Sequence, residues 1–292
     1  MPKISLIIEE RAADIGNFMV GRLLPYRQKR SVGPFVFFDH MGPAKLGPGQ
    51  NLDVLPHPHI GLSTLTYLFE GSIIHRDSLG SVQEINPGDV NWMTAGKGVV
   101  HSERTPDSLR NSNKSLHGFQ IWVGLPDELE ETEPTFHHIP ARDIPVWSEF
   151  GAVFKLIAGE ALGRNSPVPV HSELYLIEIK SSKTTSISLG KRLYGESSIY
   201  VLNGHISFDE SIFNPGHLLI MKDMDIPHFD LGPDSTVFIL GGKAFPHKRY
   251  INWNFVSSRR DRLEKAKEDW IEQKFSKIPC ESGFVPYPDR KV

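Results

Sequence analysis

Short apolar runs, interrupted at close intervals by glycine and proline, dominate the hydrophobic pattern of this chain. The sequence has 25 glycines and 22 prolines among 292 residues. Apolar runs bounded by turn residues are typical of the strands of β-sandwiches and β-barrels. The run 35–38, for example, lies between Gly33-Pro34 and Gly42-Pro43. We therefore predict an all-β fold.

Two sequence landmarks occur twice, which indicates an internal repeat. Tyr67-Leu68-Phe69-Glu70-Gly71 resembles Tyr200-Val201-Leu202-Asn203-Gly204. Asn86-Pro87-Gly88 resembles Asn214-Pro215-Gly216, and a methionine follows each tripeptide within five residues. Asn-Gly between apolar runs is also a strong signal for a tight hairpin turn. Two copies of one β-unit are therefore expected.

A segment rich in proline and acidic residues, 125–147, separates the two copies. We predict an N-terminal domain over 1–130 and a C-terminal domain over 131–292. A helix is predicted to begin near Ser258, because apolar residues recur there at helical spacing between charged ones. We expect its Trp270 to pack onto a barrel.

Composition excludes several classes of protein. The formal net charge of -3 gives no electrostatic reason to expect direct contact with nucleic acid. The single cysteine, Cys280, cannot form an intrachain disulfide, and a reducing cytoplasm fits this. Residues 1–10 turn acidic too early for a signal peptide. No run of about 18 apolar residues is present, so we expect no membrane span.

The candidate chemistry lies between His57 and Glu103. His57 and His59 form one pair at spacing i, i+2, and His101 and Glu103 form another. In a strand, such pairs face the same side and start about 6.6 Å apart, close enough to share one ion. If the two strands are neighbours, all four side chains point into one interior. We therefore predict a single metal ion held by three histidines and one glutamate.

The ligand set narrows the choice of metal without deciding it. An open site with imidazole and carboxylate ligands resembles those of non-haem iron enzymes, which favours one Fe(II) ion. Structural zinc usually has a closed shell with cysteine, although Zn, Mn, Ni and Cu also accept these ligands. By the offsets of the repeat, the four positions correspond to Gly190, Arg192, Phe229 and Leu231. The second copy therefore carries no matching ligand set.

Motifs along nearly the whole chain resemble those of the cupin superfamily and, within it, the pirin family. The residues that carry the resemblance are Gly33-Pro34-Phe35, Asp39-His40-Met41-Gly42-Pro43, Pro56-His57-Pro58-His59-Ile60-Gly61, Thr66-Tyr67, Glu70-Gly71, Pro87-Gly88-Asp89, Thr94-Ala95-Gly96, Gly98, His101-Ser102-Glu103, His117-Gly118-Phe119-Gln120-Ile121-Trp122 and Asn254-Phe255-Val256. In cupins generally, a glutamate follows the histidine pair at the position of Thr64, and a proline stands at Thr94. In pirins, which share these departures, the acid after the third histidine is the fourth ligand, and Glu103 holds that place.

The resemblance implies two tandem cupin β-barrels of the jelly-roll type with a C-terminal helix. It also implies two kinds of function, because some pirins are similar to quercetin 2,3-dioxygenases and others are metal-bearing regulatory partners of proteins. We expect the enzyme, with a small aromatic substrate and O₂; the alternative is a redox-sensing regulator that acts through a protein partner.

Residue roles follow from the enzyme interpretation. Glu103 is the ligand expected to double as a catalytic base. Gln120 is a candidate polar contact for the substrate, and Phe37 and Trp92 are candidate aromatic contacts. Either aromatic residue also fits an ordinary core position.

Overall fold

The computed structural model describes residues 4–15, 18–208, 210–222, 226 and 228–288. Within these ranges the chain is built mainly of β-strands, and its one α-helix, α1 (Arg260–Ile271), lies near the C-terminal end. The predicted all-β fold with a C-terminal helix is confirmed. No helix in the described ranges is long and apolar enough to cross a membrane.

The strands alternate with tight turns along the whole described chain. Those of the first half are β1 (Ile4–Glu9), β2 (Arg11–Asp14), β3 (Met19–Leu24), β4 (Phe35–Leu46), β5 (Asp53–His59), β6 (Leu62–Glu70), β7 (Ile73–Asp77), β8 (Val82–Ile85), β9 (Val90–Thr94), β10 (Val99–Arg104), β11 (Lys114–Gly124) and β12 (Thr135–Ile139). Those of the second half are β13 (Val146–Glu149), β14 (Ala152–Ala161), β15 (Arg164–Asn165), β16 (Leu174–Ser181), β17 (Thr185–Ile187), β18 (Glu196–Asn203), β19 (Ile206–Phe208), β20 (Ser211–Phe213), β21 (His217–Met221), β22 (Phe229–Leu231), β23 (Ser235–Gly242), β24 (Tyr250–Asn252) and β25 (Phe255–Ser257). Short 3₁₀ turns occupy Asp107–Leu109, Asp127–Leu129 and Ala141–Asp143.

One compact unit, here called the histidine unit, comprises the described residues within 12–20, 39–138 and 245–292. A four-stranded sheet in the order β5-β10-β7-β8 carries the predicted ligands. A larger sheet runs in the order β12-β9-β6-β11-β4-β3-β2; most of its residues belong to this unit, and 21–24 of β3 and 35–38 of β4 belong to the other. Buried side chains that include Met41, Leu68 and Leu116 form an apolar cluster in this unit.

The other compact unit, here called the apolar unit, comprises the described residues within 1–11, 21–38 and 139–244. Its larger sheet has the order β1-β21-β18-β23-β16-β14-β13, with β15 paired to β14, and its smaller sheet has the order β17-β22-β19-β20. Phe229 and Leu231, which correspond to two predicted ligands of the first copy, are fully buried in its apolar core. Hydrocarbon therefore fills the interior of this unit where the first copy carries polar side chains.

The backbone of the two copies repeats at the landmarks. Gly71 and Gly204 both have positive φ, as expected for glycine after a strand. Gly88 and Gly216 have the same φ of 86°. Their N–H groups donate to equivalent carbonyls, those of Leu68 and Val201, at 2.9 and 3.0 Å. The repeat in the sequence is thus a repeat in the structure.

The C-terminal helix packs within the histidine unit. Trp270 is 4% exposed and lies in a cluster with Ile60, Val100 and Phe255, so the prediction that it packs onto a barrel is confirmed. Both compact units are discontinuous in sequence. The contiguous division into 1–130 and 131–292 stays a prediction.

Candidate metal centre

The three predicted histidine ligands lie side by side on neighbouring strands. Strands β5 and β10 pair antiparallel, with His101 opposite His57 and Val99 opposite His59. One ring nitrogen from each of the three histidines belongs to a group whose atoms all lie within 4.8 Å of one another. All three residues are buried. The two motifs, more than 40 residues apart in the chain, are thus joined by strand pairing.

An irregularity in β5 supports this arrangement. Between His101 and Glu103 the register shifts, so that Glu103 lies opposite Val54 and β5 carries one extra residue there. The Leu55 carbonyl in the shifted segment accepts a hydrogen bond of 2.8 Å from His57 Nδ1. Because a carbonyl only accepts, Nδ1 must carry the proton, and Nε2 keeps its lone pair for a ligand.

His59 is oriented in the same way by a distant part of the chain. Its Nδ1 donates to the Asn254 carbonyl at 3.1 Å, across 195 positions of sequence. Backbone carbonyls that hold the second ring nitrogen are a usual feature of histidine ligands to metals. The side of the His59 ring is closed by Trp122, whose ring centroid is 5.0 Å away.

His101 provides the test of whether a metal fits. Both of its ring nitrogens are buried and have no hydrogen-bond partner among the described residues. A buried polar atom without a partner costs free energy, roughly 1–3 kcal/mol, and is rare in folded proteins. A divalent cation bound by His101 together with His57 and His59 would satisfy one of these nitrogens. The donor set therefore fits a metal ion.

The electrostatics of the three rings favour metal over protons. Burial lowers the pKa of His57 from 6.5 to about 4, against a raising effect of the Leu55 hydrogen bond. Burial and the neighbouring histidines hold the pKa of His59 and of His101 well below 6.5. All three imidazoles are therefore neutral near pH 7, which is the form that binds a metal.

Glu103 lies on the same strand but outside the group of three. Its carboxylate accepts a hydrogen bond of 3.2 Å from Thr66 Oγ1, which also lies 3.0 Å from Gln120 Oε1. Burial raises the pKa of Glu103, although His75 and the Thr66 hydroxyl lower it in part. A buried carboxylate in this condition gains from any nearby cation. Predicted ligand and predicted substrate contact thus share one hydroxyl group.

Trp92 and Phe37 are the remaining two predicted substrate contacts. Trp92 is paired with Leu65, whereas Asn91 is paired with Thr66. Because side chains alternate along a strand, Trp92 faces the side of the sheet opposite to Thr66, and its Nε1 donates to Thr94 Oγ1 at 3.2 Å. Phe37 belongs to the apolar unit, where the Arg22 guanidinium stacks over its ring at 4.6 Å. Both assignments stay predictions.

His75 and Asp77 form a further pair beside the three histidines, outside the motifs that carry the predicted ligands. His75 is the cross-strand neighbour of Glu103, and its ring centroid is 5.3 Å from that of His101. Its Nε2 bonds Asp77 Oδ2 at 3.0 Å, and its ring stacks on Phe136 at 4.3 Å.

The environment of Asp77 favours its ionised form. Burial raises the pKa of Asp77, but hydrogen bonds from His75 and Ser81 outweigh it, so the pKa lies below its usual value. In the sequence, His75 and Asp77 are a third i, i+2 pair, and this spacing in β7 could have pointed to them.

Comparison with known proteins identifies the chain's relatives. The sequence pattern of the family described as Pirin matches residues 17–123, and that described as the Pirin C-terminal cupin domain matches residues 175–276. A Pirin-like protein of Caulobacter vibrioides is 44% identical over 298 residues, which cover 98% of this chain and 100% of the relative. A Pseudomonas aeruginosa protein, provisionally named a quercetin 2,3-dioxygenase, is 38% identical over 91% of this chain and 83% of its own.

Solved structures agree with the sequence comparison. The crystal structure of quercetin 2,3-dioxygenase from Acinetobacter baumannii superimposes with a TM-score of 0.88 at 35% identity. The match covers 97% of this chain and 94% of that one. The predicted pair of tandem cupin barrels is therefore confirmed.

Proposed function

Because the chain belongs to the pirin family, we propose that it is a metal-dependent dioxygenase of the quercetin 2,3-dioxygenase type. Its substrates would be O₂ and a flavonol or a related small aromatic compound. The observation that carries the proposal is His101, a buried imidazole whose nitrogens have no hydrogen-bond partner in the part of the chain that the structure describes, beside two histidines whose lone pairs are already oriented. The Acinetobacter and Pseudomonas relatives support the choice of reaction.

The proposed ligands are His57, His59, His101 and Glu103. When bound, a divalent metal would polarise the substrate oxygens and allow electrons to pass to O₂. Nitrogen and oxygen donors without sulfur, together with an open coordination position, favour Fe(II) over structural zinc, and Mn, Ni and Cu are the other candidates.

Glu103 is proposed to act as the catalytic base. Its raised pKa suits a carboxylate that takes a proton from a phenolic substrate hydroxyl near neutral pH. The Thr66 hydroxyl would hold the carboxylate in place while it does so. Gln120, which shares that hydroxyl, is the proposed polar contact for the substrate.

Metal content and oxygen uptake test the proposal together. Wild type loaded with Fe(II) should hold one metal ion and consume O₂ with quercetin, and His59→Ala should lose both properties. His228→Ala is the matched control, because the His228 side chain is 61% exposed and pairs with Asp230 at 3.4 Å. Full metal occupancy in His59→Ala would refute the site. No O₂ uptake by metal-loaded wild type would refute the quercetinase activity.

The second candidate function is a redox-sensing regulator that uses the same metal and a protein partner. It is favoured by the closed surroundings of the three rings, all of which are buried. It predicts a protein that binds metal but turns over no small aromatic compound, and a partner whose affinity follows the oxidation state of the metal. For either function we propose a cytoplasmic location, consistent with the single cysteine.

A further inference from the structure

The back of the two ligand-bearing strands is held by the segment 278–287, here called the C-terminal strap. The Val285 N–H donates to the Pro56 carbonyl at 2.8 Å, and Trp270 Nε1 donates to the Val285 carbonyl at 3.0 Å. The Tyr287 hydroxyl donates to Asn252 Oδ1 at 2.9 Å. Pro56 directly precedes His57, so the strap is bonded to β5 next to the first proposed ligand.

Glu281 ties the same strap to β10. Ser102 Oγ donates to Glu281 Oε1 at 2.7 Å, and Arg104 Nη2 donates to Oε2 at 2.7 Å. Arg104 Nε lies 3.2 Å from both carboxylate oxygens, and Arg76 Nη1 lies 3.9 Å from Oε1. The Glu281 side chain is 7% exposed and that of Arg104 is 23% exposed, so this is a partly buried, charge-assisted contact.

Strand alternation connects this contact to the metal centre. His101 and Glu103 face one side of β10, so Ser102 and Arg104 face the other. The carboxylate of Glu281 thus contacts the face of β10 opposite to the proposed ligands, at Ser102, which lies between His101 and Glu103. Arg76, on β7, is the cross-strand neighbour of Ser102, which brings a third strand into the same contact.

Polar and apolar contacts together hold the strap in place. Ile278 is buried in the apolar cluster around Trp270, Tyr287 packs against that cluster as a partly buried residue, and the Phe284 ring centroid lies 5.7 Å from that of Trp270. A cleft of about 410 Å³ lies beside these contacts, lined in part by Pro56, Val100, Phe284 and Glu281. Glu281 and Val285 add the hydrogen bonds that join the strap to the two ligand-bearing strands.

We propose that Glu281 is a positioning residue for the metal centre, which acts by clamping β10 through Ser102 and Arg104. This inference rests on the ligand set of the proposed function, but not on the proposed reaction. Without the carboxylate, two arginines and a serine lose their common partner, and β10 is free to shift His101 relative to His57. Direct hydrogen-bond partners of the ligands typically change metal affinity about 10- to 100-fold, and Glu281, which contacts the strand between two ligands, is expected at the lower end of that range.

The test measures metal release from the full-length protein. Wild type, Glu281→Gln and the control Glu264→Gln are loaded with Co(II), and transfer of the ion to excess EDTA is followed by its visible absorption. Glu264 is exposed on α1 and pairs with Lys267 at 3.8 Å. We expect release from Glu281→Gln to be about tenfold faster than from wild type, release from Glu264→Gln to be unchanged, and Glu281→Asp to restore part of the retention.

The spectrum separates positioning from general destabilisation. A merely structural role would lower the folded fraction but leave the Co(II) bands of the folded protein unchanged, whereas positioning shifts the bands of Glu281→Gln. Release at the wild-type rate with an unshifted spectrum would overturn the inference. If Glu281→Gln does not fold, Ser102→Ala removes a single contact, and wild-type release from that variant would overturn it equally.

Failure of the proposed function gives different results. Wild type that binds no Co(II) would overturn both the ligand set and the role of Glu281. Metal-loaded wild type that consumes no O₂ with quercetin would overturn the reaction alone, and the effect of Glu281 on metal release would stand.

Discussion

His101 differs from its neighbours in a way that separates metal binding from folding. His57 and His59 each spend one nitrogen on a backbone carbonyl, whereas His101 has no partner on either nitrogen among the described residues. Its imidazole therefore contributes no hydrogen bond to the metal-free fold. Burying an imidazole without a hydrogen bond costs free energy, and binding a metal ion would offset that cost.

Replacing His101 by alanine should abolish stabilisation by metal. A ligand present at 100 times its Kd stabilises a protein by about 2.7 kcal/mol, which is visible as a rise in Tm. We expect this rise for wild type and for His228→Ala, measured by calorimetry with and without Fe(II) or Ni(II), and none for His101→Ala. A metal-induced rise in Tm for His101→Ala would show that the ion binds elsewhere.

Thr66→Val tests the hydroxyl that Glu103 and Gln120 share. The substitution keeps the shape but removes the donor that lowers the pKa of Glu103. Since a carboxylate must be ionised to bind metal, the pH midpoint of metal binding should shift upward. Titration of metal binding against pH measures this. Thr185→Val is the control. Thr185 is buried in the apolar unit and its hydroxyl bonds to that of Ser181, so this substitution should leave the pH midpoint of metal binding unchanged.

The turn between β5 and β6 brings the Asn254 carbonyl, which accepts the hydrogen bond from His59, next to the ligand strand. Gly61 has φ of 67°, and a Cβ on it would lie 2.0 Å from the Val256 carbonyl oxygen. Ile60 and Phe255 form a parallel bridge beside it. This close approach of backbone to backbone holds Asn254, the acceptor for His59, next to the ligand strand.

Gly61→Ala should therefore destabilise the fold and loosen the metal site together. Gly49 is the matched control, because it has a similar φ of 79° but open space around its Cβ position. Both substitutions carry the left-handed backbone penalty of about 1–2 kcal/mol, and only Gly61→Ala adds a clash. Denaturant unfolding should show a larger loss for Gly61→Ala; equal losses for the two variants would contradict the close-approach explanation.

The spacing of residues along the strands predicts much of the site, whereas the rest depends on long-range contacts. His57, His59 and His101 could be grouped from the sequence, because i, i+2 spacing in a strand puts side chains on one face. The shifted register of β5 and the role of the Asn254 carbonyl could not be predicted from the sequence, because both depend on contacts between distant segments. Local sequence contains no record of which carbonyl a ring nitrogen will meet.

The same limit applies to the molecule as a whole. The all-β class and the repeat follow from turn residues and landmarks at fixed spacing, which are local signals. The compact units are discontinuous in sequence, and α1 and the C-terminal strap belong to the histidine unit. Glu281 therefore supports a strand that lies 177 positions earlier in the chain, a contact for which the sequence has no periodicity or motif.

Burial of three histidines makes the stability of the whole metal-free protein depend on pH. In the unfolded chain each imidazole titrates near 6.5, whereas burial lowers the pKa of His57 to about 4 and holds those of His59 and His101 well below 6.5. Between pH 6.5 and 4 the unfolded state thus binds more protons, and stability falls as pH falls. Glu103, whose pKa is raised by burial, opposes this with at most one proton.

The expected slope is therefore about two protons, or roughly 3 kcal/mol per pH unit at its steepest. The free energy of unfolding of metal-free wild type, measured by denaturant titration between pH 7 and 5, should fall accordingly as the solution is acidified. His101→Leu should remove about one proton from the slope, because its unfolded state no longer titrates there. Unfolding free energies that stay flat over this range would mean that the three rings are not held neutral in the folded protein.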